Sequence, residues 1–442
     1  MQINTKPLSG FLELLPGEQA LFDKIKSTIE ETYNLFGFTS LDTPLIERSQ
    51  VLLAKGSEET DSQIYFVNNG LTSKEPNSLA LRFDLTVPLA RYVSEHSNEL
   101  VFPFRRCHIG KVYRGERAQK GRFREFYQCD IDVIGKNSLS IYYDAEIPSI
   151  IYNAFKRLNI GKFKIKLSNR KIFNGLFLEL GIVVPTQQVL RIIDKALKVT
   201  EEELISEFSD IKLSQEQISK LLQFMSISGT VSNVLNTLSS LNIKNPIFNE
   251  GLNELKTVTE TMALLNVDSE YYEIDLGIVR GLDYYTGTVY ETMMEDKRIG
   301  SVCSGGRYDN LTSHYSSESM PGVGISIGLS RLFYQLKELG LLNNISKTVA
   351  NVIIMPNDET NLQTCISSAT YLRDYNIKVD LLLQDMPPKK KFAYIDKLNT
   401  QYTIVIKTIN EKEVISLQYK KDGIIQKEEL SITEIKDIIT SR

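Results

Sequence analysis

Residues 122–134 alternate between two kinds of side chain, in a pattern that could bind a polar ligand. Successive side chains of a β-strand point to opposite faces. One face of this segment would carry Arg124, Phe126, Gln128, Asp130 and Asp132, and the other Tyr127, Cys129, Ile131 and Val133. A solvated strand gives the same alternation. The composition of the first face favours a binding site, because a planar base can stack on an aromatic ring and carboxylates can orient a small polar cation.

A polar, basic loop precedes this strand. Residues 115–121 separate two runs of alternating residues, which predicts an antiparallel hairpin with a long tip. Arg114, Glu116 and Arg117 stand at the base of the loop. A guanidinium group binds a phosphate through two parallel hydrogen bonds. We therefore predict a phosphate-binding group beside the polar face of the strand.

A second candidate segment covers residues 278–291. Its tyrosines and threonines favour a strand, so an ordinary core strand is the simplest interpretation. Arg280, however, stands beside a glycine in an otherwise apolar run, and burying its charge is unfavourable unless it meets an anion. The glycine pair in residues 304–309 would usually make a turn, but it also lets the backbone approach a ligand closely.

These segments resemble the signature motifs of class II aminoacyl-tRNA synthetases in their histidyl form. The run VYRGERAQKGRFREFYQCDIDVIG, residues 112–135, is similar to the second class II motif, and residues 278–291 resemble the segment that marks the histidyl enzymes. Residues 37–47 resemble the first motif. Residues 322–331 resemble the third, although alone they would be interpreted as a glycine-spaced strand packing on a helix with a solvated Arg331. The resemblance covers nearly the whole chain.

The resemblance implies roles for individual residues. The catalytic residues would be Arg114 and Arg280, both at the α-phosphate of ATP. ATP would be bound by Arg114, Glu116, Phe126 and Arg331, with Phe126 stacked on adenine and Arg331 at the γ-phosphate. Asp84 and Thr86 would bind the α-ammonium group of histidine. The rest of the histidine molecule would contact Gln128, Asp132, Tyr284, Tyr285 and Tyr308. The acceptor end of the tRNA would meet Gln119 and Arg124, and the anticodon stem Lys389, Lys390 and Lys391. Asp130 receives no role.

The chain departs from the family pattern at several places. Many members carry an acid just before the arginine of the third motif, where this chain has Ser330. The segment after Lys407 lacks the glycine-acidic turn common in the family. The three histidines, His96, His108 and His314, are natural candidates for acid–base chemistry. None of them falls on a motif position, and adenylate formation needs charge stabilisation more than a protein base.

The resemblance implies a histidine–tRNA ligase that uses ATP with Mg²⁺, binds tRNA(His) and forms a homodimer. One alternative is the non-catalytic, histidine-binding regulatory subunit of ATP phosphoribosyltransferase, which shares the catalytic fold. The three motif arginines and the C-terminal domain argue against it. Another is a synthetase for threonine, proline or glycine, which the Tyr284-Tyr285 pair disfavours. Fold likeness alone would not separate these activities.

The expected architecture is an α+β catalytic domain with an antiparallel sheet flanked by helices. We place the catalytic domain at residues 1–174 and 269–342, a helical insertion at 175–268, and a C-terminal α/β anticodon-binding domain at 348–442. The last assignment follows from strands and helices that alternate after residue 350. The lysine run that opens its second helical segment would otherwise be interpreted as a solvated face.

The composition is that of a globular protein that does not bind nucleic acid through overall charge. The net charge is −4, so any RNA must be bound by local basic patches and by shape. The four cysteines form no Cys-x-x-Cys pair, which predicts free thiols and no metal site. The N-terminus lacks a signal-peptide pattern and no apolar run reaches bilayer length, so we expect a cytoplasmic protein without membrane attachment.

Overall fold

The computed structural model describes residues 3–54, 62–68, 77–196, 199–279, 281, 284–296, 300–310, 312–342, 347–421 and 424–441. Backbone contacts divide the chain into two units. The first is formed by Met1–Leu12 and Ile25–Leu339, and the second by Glu13–Lys24 and Gly340–Arg442.

The elements are numbered in chain order. Before residue 340 the helices are α1 (Pro16–Leu35), α2 (Ser49–Leu53), α3 (Thr86–Glu95), α4 (Tyr142–Leu158), α5 (Arg170–Glu179), α6 (Thr186–Ile193), α7 (Glu201–Asp210), α8 (Gln215–Met225), α9 (Val231–Ser240), α10 (Pro246–Leu264) and α11 (Leu329–Glu338). The strands there are β1 (Thr39–Ser40), β2 (Ile46–Arg48), β3 (Leu79–Leu81), β4 (Phe104–Tyr113), β5 (Glu125–Ile134), β6 (Phe163–Asn169), β7 (Tyr272–Ile274), β8 (Thr288–Met294), β9 (Ser301–Tyr308) and β10 (Gly322–Gly328).

A sheet of eight strands organises the described part of the first unit. Its order is β1-β4-β5-β10-β9-β8-β6-β7. The six inner strands are antiparallel to one another, and the edge strands β1 and β7 pair in parallel with β4 and β6. The predicted hairpin is β4 followed by β5, and the register pairs Arg106 with Asp132 and His108 with Asp130. On its other side β5 pairs with β10, where Ser326 stands opposite Asp130 and Gly324 opposite Asp132. The predicted antiparallel catalytic sheet is confirmed.

Apolar residues recur at helical spacing between residues 17 and 36, which predicts a long amphipathic helix, and the structure confirms it as α1. Ile25, Ile29 and Tyr33 are buried along one side of α1, as expected of residues three or four apart on a helix. The Tyr33 hydroxyl donates to the carbonyl oxygen of Cys129 at 3.1 Å. This hydrogen bond attaches the helix to the middle of β5.

The helices between Arg170 and Leu264 form the predicted helical region. Two glycines bring α5 and α10 together: a Cβ on Gly175 would collide with the backbone of Phe248, and one on Gly251 would lie 2.8 Å from the amide nitrogen of Ile172. Helices α7 and α8 each begin with a capping box, made by Thr200 with Glu203 and by Ser214 with Gln217. Local sequence signals thus account for where these two helices start.

The structure corrects two strand predictions in the first unit. The sequence from Tyr271 to Thr292 is strand-like and predicts a strand without interruption, but β7 ends at Ile274 and β8 begins at Thr288. Gly281 has a φ of +61°, and the amides of Tyr284 and Tyr285 donate to its carbonyl oxygen at 3.0 and 3.1 Å. A glycine in the left-handed region turns the chain instead of extending it. The tyrosine pair therefore lies on a turn.

The second correction concerns residues 81–86, whose alternating side chains predict a strand. Strand β3 ends at Leu81, and Thr86 is the first residue of helix α3. The Asp84 carboxylate accepts a hydrogen bond from the amide of Val87 at 3.0 Å. An aspartate that accepts from an amide three residues later favours the start of a helix over continuation of a strand.

The second unit is an α/β domain, as predicted. Its strands are β11 (Val352–Pro356), β12 (Val379–Leu381), β13 (Tyr402–Ile409), β14 (Lys412–Lys421) and β15 (Ile424–Glu429), and its helices are α12 (Leu362–Asp374), α13 (Pro388–Leu398) and α14 (Ile432–Thr440). The strands form a sheet in the order β12-β11-β13-β14-β15, with parallel pairing around β11 and antiparallel pairing from β13 onward. The β14–β15 hairpin and α14 were not predicted.

The cysteines Cys107, Cys129, Cys303 and Cys365 are free and buried, which confirms the thiol prediction. Across the described part of the chain, no helix has both the length and the apolar character that a bilayer crossing requires.

Candidate active site

The polar face of β5 borders two adjoining cavities. Phe126 and Gln128 line the larger one, of about 360 Å³, whereas Asp130 and Asp132 line a narrow one of about 30 Å³. Ser304 and Ser326 line both. On the opposite face Cys129, Ile131 and Val133 are completely buried. The alternation predicted for this strand is confirmed, and four residues of its polar face line the cavities.

The larger cavity brings together all four residues predicted to bind ATP. Arg114, Glu116, Phe126 and Arg331 line it. Arg114 donates from Nε to the carbonyl oxygen of Phe83 at 3.0 Å, and its guanidinium carbon lies 5.2 Å from the centre of the Phe126 ring. The anchored guanidinium group and the neighbouring ring provide a phosphate-binding group and a stacking surface in one cavity.

Ser330 connects this cavity to the sheet. Its side chain is buried, and its hydroxyl oxygen accepts a hydrogen bond from the amide of Tyr127 at 2.9 Å. This contact holds the first turn of α11 against β5, and the next residue, Arg331, lines the cavity. A hydroxyl group at position 330 thus supplies an acceptor to a backbone amide where many family members have an acid.

The narrow cavity is lined by five of the seven predicted histidine-binding residues, whereas Gln128 lines the larger cavity and Asp84 lines neither. The five are Thr86, Asp132, Tyr284, Tyr285 and Tyr308. The Tyr308 hydroxyl donates to Oδ1 of Asp132 at 2.9 Å. The Tyr284 ring is T-shaped to both Tyr285 and Tyr308, with centroids 5.8 and 6.1 Å apart. A carboxylate and a phenol at the end of an aromatic slot suit a flat ring that both donates and accepts hydrogen bonds.

Glycines of β10 make room for these groups. A Cβ on Gly324 would collide with the Asp132 carboxylate, and one on Gly322 would collide with the Tyr308 ring. Each glycine stands directly opposite the residue for which it makes room. Gly324 pairs with Asp132 on β5, and Gly322 pairs with Tyr308 on β9. The glycine spacing predicted for a strand that packs on a helix therefore also shapes the cavity.

Asp84 and Thr86 stand where strand β3 gives way to helix α3. Thr86 lines the narrow cavity. Burial raises the pKa of Asp84 to about 6, even though its hydrogen bond from Val87 and the positive charge of Arg114 lower it. A cation that binds next to this carboxyl group would stabilise its ionised form.

Sequence reasoning missed Arg106. Its side chain is fully buried on β4, and Nη2 lies 2.9 Å from Oδ2 of Asp132 and 3.2 Å from the carbonyl oxygen of Leu85. The alternating side chains of β4 were the sequence signal for Arg106, but only the register of the hairpin shows which acid Arg106 faces. Asp130 was recognised as part of the polar face and given no role, yet it is buried on the floor of the narrow cavity.

His108 is also buried on β4. Its Nε2 lies 2.8 Å from Oδ1 of Asp42. Burial and the positive charges of Arg106 and Arg82 lower the pKa of His108 to about 3, against the attraction of Asp42. The ring is therefore neutral near pH 7 and has a structural partner of its own.

Several predicted residues lie away from the two cavities or outside the described residues. Arg280 lies outside the described residues. In the hairpin loop, Gln119 is exposed, and Arg124 donates from Nε to the carbonyl oxygen of Glu116 at 3.1 Å. In the second unit Lys389 and Lys390 are exposed at the start of α13. Lys391 differs, because it is buried and its Nζ donates to the carbonyl oxygen of Pro356 at 2.8 Å.

The geometry can be compared with known families. The histidyl-tRNA synthetase family model matches residues 10–332, and the anticodon binding domain model matches residues 351–442. The chain belongs to the histidyl-tRNA synthetase family. It is 51% identical to the histidine–tRNA ligase of Clostridium tetani, with 98% of this chain and 97% of the relative covered. It is 47% identical to that of Finegoldia magna, over 91% and 92% of the two chains.

Solved structures agree with the family assignment. The chain resembles a histidyl-tRNA synthetase from a Nostoc species with a TM-score of 0.90 and 37% identity, and all of both chains is covered. A protein of Bacillus halodurans described as an ATP phosphoribosyltransferase regulatory subunit/histidyl-tRNA synthetase gives a TM-score of 0.74 at 22% identity, over 92% of this chain and 99% of that one. The second likeness concerns the fold alone.

Proposed function

We propose that this chain is a histidine–tRNA ligase that activates histidine with ATP and transfers it to tRNA(His). The supporting observation is the pair of adjoining cavities. One holds Arg114 beside Phe126, and the other holds Asp132 hydrogen-bonded to Tyr308. The two cavities share Ser304 and Ser326, so a nucleotide in the first and an amino acid in the second would meet at these serines.

The first step joins histidine to the nucleotide. An oxygen of the histidine carboxylate attacks the α-phosphorus of ATP, and the bond from that phosphorus to the bridging oxygen breaks to release pyrophosphate. Phe126 would stack on adenine, Arg114 would bind the α-phosphate and Arg331 the γ-phosphate. Groups already held in place stabilise the charge that develops on the phosphate oxygens without further reorganisation. The Nε bond from Arg114 to Phe83 provides such positioning.

The second step moves the histidyl group. A hydroxyl of the terminal ribose of the tRNA attacks the carbonyl carbon of histidyl-adenylate, and AMP leaves. Gln119 and Arg124 on the hairpin loop are the proposed contacts for the acceptor end. Lys389 and Lys390 are the proposed contacts for the anticodon stem. Because the ammonium group of Lys391 is buried against Pro356, we leave that residue out of the proposed RNA surface.

Selection of histidine would depend on the narrow cavity. Asp132 and Tyr308 supply an acceptor and a hydroxyl group for the imidazole ring, Gln128, Tyr284 and Tyr285 enclose the amino acid, and Asp84 and Thr86 bind the α-ammonium group. An amino acid without ring nitrogens would leave these polar groups unpaired, and such a mismatch is penalised strongly.

Magnesium is proposed to accompany ATP. Among the described residues no group of three histidine, cysteine, aspartate or glutamate side chains is arranged to hold a metal ion. Mg²⁺ commonly uses one or two carboxylates together with substrate phosphates, and Glu116 offers one carboxylate at the larger cavity. Bound there, the ion would neutralise charge on the leaving pyrophosphate.

We also propose a cytoplasmic homodimer with the four-part division given above, namely catalytic residues 1–174 and 269–342, a helical insertion at 175–268 and an anticodon-binding domain at 348–442. The resemblance of residues 37–47 to the first class II motif supports the dimer. Four buried free thiols are compatible with a reducing compartment.

One assay tests the proposed activity: exchange of labelled pyrophosphate into ATP, measured with and without histidine. A histidine-dependent exchange that other amino acids do not support is expected. Tight histidine binding without exchange would instead favour the regulatory-subunit alternative.

Arg280→Ala tests the proposed charge stabilisation at the α-phosphate. We expect the exchange rate to fall by about 100-fold or more, since removing one preorganised donor has effects of that order, while the thermal melting curve stays unchanged. An exchange rate within about threefold of the wild type would remove Arg280 from the mechanism.

A further inference from the structure

Asp130 is placed as a ligand-binding group but has no role in the mechanism above. It lies on β5 between Gln128 and Asp132, and its neighbours across the sheet are His108 on β4 and Ser326 on β10. The residue is 2% exposed and lines the narrow cavity. Its side chain is therefore shielded from bulk water but borders the space proposed for histidine.

One oxygen of this carboxylate lacks a hydrogen bond. Ser326 accepts from the side-chain amide of Gln128 at 2.8 Å and forms a side-chain hydrogen bond with Asp130. Oδ1 of Asp130 has no hydrogen-bond partner within the part of the chain that the structure describes. An unsatisfied buried carboxylate oxygen is unfavourable and calls for an explanation, such as a ligand that supplies the missing donor.

Asp132 is already engaged on both oxygens. Oδ1 accepts from the Tyr308 hydroxyl at 2.9 Å, and Oδ2 forms the ion pair with Arg106 at 2.9 Å. Each oxygen still has a second lone pair, but the geometry is constrained by two fixed partners. A second ring N–H of the substrate would therefore find its open acceptor at Asp130.

The charges around Asp130 also favour a ligand that donates a hydrogen bond. The negative charges of Asp132 and Asp84 both act on Asp130, and the positive charge of Arg106 acts on all three acids. Arg114 acts additionally on Asp84. Burial, followed by repulsion from Asp132, raises the pKa of Asp130 to about 7. Among the described residues these three acids outnumber the two arginines that act on them, so a cationic ligand would balance their charge. The histidine side chain becomes a cation when it takes up one proton.

We propose that Asp130 is a further specificity-determining residue, which accepts a hydrogen bond from a ring N–H of histidine, directly or through one water molecule, and favours the protonated ring. This inference rests on the proposed function, because it names a residue of that same amino-acid site. It assigns the two ring nitrogens to different partners, one to the Asp132–Tyr308 pair and the other to Asp130.

The test compares Asp130→Asn with the wild type in pyrophosphate exchange. Two amino acids are used: histidine, and 1,2,4-triazole-3-alanine, whose ring has a similar shape and one N–H but stays uncharged near neutral pH. Asparagine keeps the shape and an acceptor oxygen while it removes the negative charge. We expect the KM for histidine to rise about tenfold or more, kcat and the KM for ATP to stay within about threefold, and the KM for the triazole analogue to change much less.

A matched control is Thr292→Val. Thr292 is buried in β8 of the same sheet, its hydroxyl group forms a side-chain hydrogen bond with Cys303, and it lines neither cavity. This variant should leave the KM for histidine unchanged. If Asp130→Asn does not fold, Asp130→Ser, which is smaller and leaves space for water, is measured in the same way.

Two outcomes would overturn the inference. The first is a variant in which the KM for histidine and the preference for histidine over the triazole analogue both stay within twofold of the wild type. Asp130 would then have no part in recognising the imidazole ring. Equal losses for histidine, the analogue and ATP would assign Asp130 a structural role only. Failure of the proposed function looks different, because the wild type itself would then show no histidine-dependent exchange.

Discussion

Two acids, Asp130 in the narrow cavity and Asp84 close enough to act on it, make the stability of the protein depend on pH. Asp130 and Asp84 have pKa values raised to about 7 and about 6, in both cases chiefly by burial. In an unfolded chain both carboxyl groups would titrate near pH 4. The folded state therefore binds more protons than the unfolded state between about pH 4 and pH 7. The stability that these protons contribute is lost as the pH rises through the folded-state values.

Asp130→Asn should therefore stabilise the free protein at high pH. At pH 8 the wild type holds an ionised, buried carboxylate, whereas the variant holds a neutral amide. We expect the melting temperature of the transition that includes the first unit to rise by about 2–4 °C at pH 8. At pH 5, where Asp130 is protonated, the gain should largely disappear. Differential scanning calorimetry at the two pH values measures this, and an equal shift at both would contradict the assignment of charge.

At the scale of single elements, β10 acts through the absence of side chains. Gly324→Ala would place a methyl group where the Asp132 carboxylate now lies. Because that carboxylate is held by Tyr308 and Arg106, it cannot move aside without breaking a hydrogen bond or an ion pair. We expect the KM for histidine in pyrophosphate exchange to rise more than tenfold.

Ile327→Val is a suitable control for this variant. Ile327 is on the same strand, buried, and points to the opposite face, and the loss of one methylene lowers stability by about 1 kcal/mol. Both variants should melt earlier than the wild type, but only Gly324→Ala should change the KM for histidine. A normal KM for Gly324→Ala would show that Asp132 tolerates displacement.

The ion pair of Arg307 and Asp144 connects β9 to α4. Arg307 donates from Nε and Nη2 to the Asp144 carboxylate at 3.0 and 2.6 Å, and also to the carbonyl oxygens of Leu139 and Ser140. Both side chains are buried. Removing one partner leaves the other charge buried and unpaired, so Arg307→Met should lower the free energy of unfolding by about 3–5 kcal/mol. The double variant Arg307→Met/Asp144→Leu should lose less than the sum of the single variants, as measured by denaturant unfolding.

Elements with a regular spacing of apolar residues can be predicted from the sequence, whereas features that depend on strand pairing or on a particular turn cannot. Helix α1 and the two faces of β5 follow from spacing alone. The Arg106–Asp132 ion pair depends on the register across a long hairpin loop, which the spacing of residues does not specify. The turn at Tyr284 and Tyr285 depends on the left-handed backbone of Gly281. The β14–β15 hairpin was missed because polar residues such as Lys412 and Glu413 interrupt its apolar alternation.

The site residues show the same division. The resemblance supplied the members of both cavities, because their types recur in a recognisable order. It gave no role to Asp130 and no reason for Gly324, since burial and an unpaired oxygen are properties of the folded chain. Lys391 was grouped with its neighbours by charge, although its helix turns it toward the carbonyl of Pro356.

For the whole molecule, binding of a large RNA must overcome a net charge of −4. Local lysines would then carry a large share of the attraction. We expect the double variant Lys389→Ala/Lys390→Ala to raise the KM for tRNA about tenfold and to weaken its salt dependence, with pyrophosphate exchange unchanged. Lys397→Ala, an exposed lysine at the other end of α13, is the control. An unchanged KM for tRNA would place the RNA elsewhere.

The bare backbone of β10 limits how this protein could be redesigned. Glycine has no smaller replacement, so a strand already stripped to glycine at positions 322 and 324 offers no atoms that could be deleted to admit a bulkier amino acid. Additional room must come from trimming Tyr284 or Tyr308 instead. Laboratory selection for an enlarged substrate should therefore accumulate changes on the aromatic wall and leave β10 untouched.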